Sequence, residues 1–122
     1  MRTTKKHFKI FKEEAEKWIA NFGLLDWDAQ VEHGNVQNDM NAAECQYNTS
    51  AREAVIRLSK DFTISNHFTD KDVQEAAFHE VAELLLANLS SLAERRYVTQ
   101  TELEAARHSV IARLLNYFYR RS

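Results

Sequence analysis

Phe78, His79, Glu80, Val81, Ala82, Glu83, Leu84, Leu85 and Leu86 form a run that is apolar except for one histidine and two glutamates. On a helix, His79 and Glu83 are four residues apart and share one face, so both can reach a single ion. Glu80 stands one residue further round, where a carboxylate can orient a water and take its proton. Each residue also has a plainer reading. A histidine beside Ala76, Ala77 and Val81 can be a core residue bonded to a carboxylate, and a helix glutamate is most often solvated. Glu83 is the hardest to place in water, because three leucines follow it and carboxylates are rarely buried without a partner.

The spacing is that of an H-E-x-x-H zinc helix with glutamate at the last position. A catalytic zinc takes three protein ligands and keeps one position open. The last predicted helix offers the third, with Glu104 and His108 four residues apart. A short connection over residues 93–98 places His108 within reach of His79, and Glu104 is the alternative. A set of His79, Glu83 and His108 suits Zn2+, with Mn2+ or Fe2+ less favoured. His33 and His67 fall in loops or strand ends and read as solvated, and His7 has no role assigned. Trp18 and Trp27 read as core.

The elements that must position these groups follow from periodicity. Over residues 4–22, Phe8, Phe11, Ala15, Trp18, Ile19 and Phe22 make a helical stripe. Thr3 or Thr4 can cap its start and Gly23 its end. Residues 25–33 then alternate, with Leu25, Trp27, Ala29 and Val31 facing one way, and Gly34 closes that strand. Ala43, Cys45 and Tyr47 alternate again, and residues 54–58 supply a third strand that hairpins with the second. Phe62, Ile64 and Phe68 anchor an irregular connection. Thr69 with Asp72 opens a helix running to about residue 92, and Thr99 with Glu102 opens the last. That order predicts an α+β domain: a helix, a three-stranded, mostly antiparallel sheet, then two helices.

The chain has 122 residues, fitting a single domain over 1–122. Its formal net charge of −2 offers no basic field for nucleic acid. The basic N-terminus and the Arg120–Arg121 end read as solvated helix ends. Cys45 is the only cysteine, which rules out an internal disulfide and fits a reducing compartment. No apolar run has transmembrane or signal-peptide character, so the expected location is the cytoplasm. The aromatic tail of Tyr117, Phe118 and Tyr119 is either core or the start of a dimer surface, so the oligomeric state stays open.

Several stretches together are similar to one family. Gly23-Leu24-Leu25-Asp26-Trp27 and Val31-Glu32-His33 come first, then Ala54-Val55-Ile56-Arg57-Leu58, then residues 76–86, and finally residues 108–116 of the last helix. Across residues 21–116 the chain resembles the small zincin-like metallopeptidases of phages and prophages. The resemblance implies a minimal zincin-like domain and a metal-dependent hydrolase acting on a protein or peptide, located in the cytoplasm of a bacterial host. It departs from the family pattern at two positions. Glu83 replaces the second histidine of H-E-x-x-H, and Arg107 replaces the glutamate of an E-H pair that ends in His108. Those departures keep a second expectation open, an inactive accessory protein on the same scaffold that binds a host or phage protein. Such a protein can keep a structural metal or do without one.

Overall fold

The computed structural model describes residues 2–63, 67–94 and 99–120. Ile64, the 95–98 part of the connection before the last helix and Arg121 lie outside the described residues.

Helix α1 spans Lys5–Asn21. Thr4 caps it, its hydroxyl accepting from the His7 amide at 3.2 Å while His7 Nδ1 accepts from the Thr4 amide at 3.0 Å. The unassigned His7 is therefore a capping residue. At the other end Gly23 adopts φ +70°, the left-handed conformation that glycine tolerates at no steric cost. The amides of Gly23 and Leu24 then reach back to the carbonyls of Ala20 and Ile19, and buried Leu24 completes a Schellman cap.

Three strands follow, β1 (Asp28–Gly34), β2 (Ala43–Asn48) and β3 (Glu53–Ser59), in the spatial order β1-β3-β2. β2 and β3 form the expected antiparallel hairpin, whereas β1 pairs with β3 in parallel, so the sheet is mixed. The connection from β1 to β2 passes β3 by, which leaves β3, the most apolar strand, in the centre. Alternation sets the two faces. Ala29, Ala54 and Tyr47, then Val31, Ile56 and Cys45, then His33, Leu58 and Ala43 line up on the inner face. On the outer face Arg57 pairs with Glu32 and Glu44 on either side. Leu25 departs from the expected pattern: it sits in the turn before β1 and is 76% exposed.

Helix α2 spans Asp70–Leu85 and opens with the expected box. The Asp72 amide donates to Thr69 Oγ1 at 3.1 Å, and the Thr69 amide donates to Asp72 Oδ2 at 2.9 Å. The continuous helix expected to about residue 92 is interrupted at Leu86, and a separate helix α3 (Ala87–Glu94) follows, with Ala87 and Ser90 buried. Helix α4 spans Gln100–Phe118, with the Glu102 amide donating to Thr99 Oγ1 at 3.2 Å. The architecture is thus α+β: a helix, a three-stranded sheet, then further helices.

Helices α1 and α2 pack on each other over the sheet's inner face. Phe78 lies fully buried at their junction, with Trp18, Phe22, Phe118 and Tyr119 around it. Trp18 and Trp27 are both core residues. Buried Glu14 accepts from Trp18 Nε1 at 2.9 Å and from the Tyr119 hydroxyl, which ties the end of α4 to α1. The aromatic tail is split: Tyr119 is half-buried, while Tyr117 and Phe118 remain exposed. No helix among the described residues is long and apolar enough to cross a membrane.

Candidate metal centre

The α2 stripe that buries Val73, Ala77, Phe78 and Val81 fixes how the helix is rotated. His79 and Glu83 are thereby left at the edge of the core, facing a cleft between α2, α4 and the edge strand β2. The cleft has a volume of about 700 Å³, with His79, Glu80, Glu83 and His108 on the helical side and Glu44 and Cys45 on β2. Helix α4 contributes His108 from near its middle.

His79, Glu83 and His108 each bring one ligand atom to within 4.8 Å of the others. His108 Nε2 lies 3.3 Å from Glu83 Oε1, and the two imidazole rings are 5.5 Å apart. Glu104, the alternative third ligand, accepts from Gln100 at 3.4 Å and stands outside this group. Two imidazoles and one carboxylate are a donor set that zinc accepts. Around an ion with bonds of about 2.0–2.1 Å, neighbouring tetrahedral ligands stand roughly 3.3–3.4 Å apart. The Glu83–His108 separation matches that edge, and the residues present can hold a metal ion.

Glu80 is turned inward from its neighbours and is only 7% exposed. Its Oε2 meets His79 Nδ1 at 3.2 Å. That contact orients the imidazole and leaves Nε2 available, the arrangement by which a carboxylate behind a histidine raises its quality as a ligand. Burial works against a charged His79, but the bond and charge of Glu80, with the charge of Glu83, outweigh it and raise the pKa. Burial likewise raises the Glu80 pKa, with His79 pulling it partly back. Cys45 sits across the cleft, and burial, with the charges of Glu80 and Glu83, pushes its thiol far up, so it stays protonated.

Two further residues adjoin the centre. Arg107 Nε approaches Glu83 Oε1 at 3.6 Å, and Arg107 Nη1 donates to buried Ser90 at 3.3 Å. Arg107 is legible in the sequence as a charge beside His108, whereas Ser90 gives no signal because its burial depends on the break at Leu86. His67 lies on the cleft wall and is exposed. His33 does not join the site and is only partly solvated. It is half-buried, bonds Thr3 Oγ1 at 2.7 Å and stacks on Phe8 with ring centroids 5.2 Å apart. Comparison with family models, curated proteins and solved structures finds no match to this chain.

Proposed function

We propose that this chain is a zincin-like metal-dependent hydrolase of the phage type, acting on peptide bonds, with Zn2+ held by His79, Glu83 and His108. The observation that carries the reading is the convergence of two imidazoles and a carboxylate on the wall of an open cleft, beside a further buried carboxylate. An ion at such a site supplies Lewis acidity and brings the ionisation of water towards neutral pH. The chain's own residues do the rest. Glu80 orients His79 through Nδ1 and serves as the general base, and its upward-shifted pKa matches that task. β2, an edge strand on the cleft wall, offers backbone groups along which an extended peptide can lie. Two imidazole nitrogens and one carboxylate oxygen with a position left open are a donor set used by catalytic zinc sites. On this reading the activity belongs to the cytoplasm of a bacterial host.

A second reading is an inactive scaffold that binds a host or phage protein, and the contact of Arg107 with Glu83 favours it. Elemental analysis of tag-free protein separates the two, with His79→Ala as control. Near-stoichiometric zinc that disappears in the variant supports the hydrolase and directs a peptide-cleavage screen. Metal-free protein whose thermal stability ignores added zinc rejects it.

A further inference from the structure

Arg107 is a half-buried cation beside the centre, with its Nε atom fully buried. Its side chain is 15% exposed, against 17% for Glu83, and it does not line the cleft. Its Nε has no hydrogen-bond partner among the described residues. The nearest acceptor, Glu83 Oε1, lies at 3.6 Å and is the same oxygen that His108 Nε2 meets at 3.3 Å. Ser90 holds the other end of the guanidinium, and Ser90 is itself 2% exposed on α3. The charge therefore has little room to swing towards water.

A guanidinium cannot shed its proton, and a buried one needs a counter-charge. Among the described residues Glu83 is the carboxylate paired with Arg107. An ion entering the centre draws on that same carboxylate. It also brings a double positive charge next to a fixed single one, where little water screens their repulsion. The cost recurs on every binding event, because Ser90 keeps Arg107 in place.

We propose that Arg107 is a positioning residue that competes with the metal for Glu83 and so sets the affinity of the centre. The inference rests on the reading that His79, Glu83 and His108 hold the ion. A residue that only packed α4 against α2 would leave affinity unchanged or, once removed, lower it. Competition for Glu83 gives the opposite sign.

The test is a Zn2+ titration against a chromophoric chelator for the wild type, Arg107→Gln and Arg107→Lys. Glutamine removes the charge while keeping a polar amide near the Nε position, and should tighten Zn2+ binding by about tenfold or more. Lysine keeps the charge and should stay within about threefold of the wild type. Equal or weaker binding by Arg107→Gln overturns the proposal, as does equal tightening by both variants. Zn2+ binding by Arg107→Gln alone supports it in its strongest form. Failure of all three proteins to bind Zn2+ overturns the metal reading and this inference with it. If Arg107→Gln does not fold, the wild type still decides the matter through the Arg107 Nε–H resonance. On saturation with Zn2+ that signal should move and exchange faster with water, and an unmoved signal overturns the proposal.

Discussion

Replacing Glu80 with glutamine separates the two tasks proposed for this residue. The side chain keeps its size in a position only 7% exposed, so no cavity opens and the packing beneath α2 is undisturbed. Burial already opposes the ionised carboxylate, so its removal should leave the melting temperature unchanged or raise it. The contact with His79 Nδ1 changes from charge-assisted to neutral. That difference is about 1 kcal/mol, or roughly a fivefold loss of metal affinity. Loss of a general base should cost turnover about two to four orders of magnitude. The assays are zinc content after dialysis and cleavage of a peptide pool followed by mass spectrometry. Turnover near the wild-type rate would remove Glu80 from the role of base. Complete loss of zinc would instead make Glu80 a ligand.

Three further expectations test other parts of the structure. His108→Ala should lose its zinc on dialysis, while its unfolding free energy, compared with wild type with both proteins metal-free, shifts by no more than about 0.5 kcal/mol, because the side chain is 55% exposed. Phe78→Ala should cost about 3–5 kcal/mol in urea unfolding, because the ring is fully buried among four other aromatic rings. Tyr119→Phe removes the hydroxyl that donates to Glu14 and should cost about 1.5 kcal/mol. Burial, reinforced by Glu14, raises the Tyr119 pKa, so the folded chain keeps a proton that the unfolded chain releases near pH 10. Stability should therefore fall as pH rises above about 10, and this slope should flatten in Tyr119→Phe.

Local chemistry made much of this legible from sequence. Thr4, Gly23 and Thr69 each solve a problem at a helix end with their own or an immediate neighbour's groups, so a short window of sequence is enough to read them. The inner faces of the strands follow from alternation in the same way. Which strand lies beside which does not. The parallel pairing of β1 with β3 depends on the whole sheet burying Ile56 and Leu58 at its centre, and no residue in β1 announces it. The break at Leu86 is equally silent, since neither glycine nor proline occurs there and the gain is the burial of Ala87 and Ser90. For the site, the four-residue spacing of His79 and Glu83 was readable, and His108 was one of two candidates on its helix. The inward turn of Glu80 onto His79 was not, because it depends on how Phe78 seats α2 in the core.

Helix α4 is the least anchored of the long elements, with Ile111 and Leu115 its only buried residues among those described. It is held at its far end by Tyr119 on Glu14 and near its middle by His108 on Glu83. Such a helix opens more readily than the sheet it flanks, and its amides exchange from local rather than global unfolding. An ion shared between α2 and α4 has to be released before that opening can occur. Metal occupancy would then be recorded as slowed hydrogen exchange along α4, with the amides of β3 unaffected, and the C-terminal helix would report on the state of the centre.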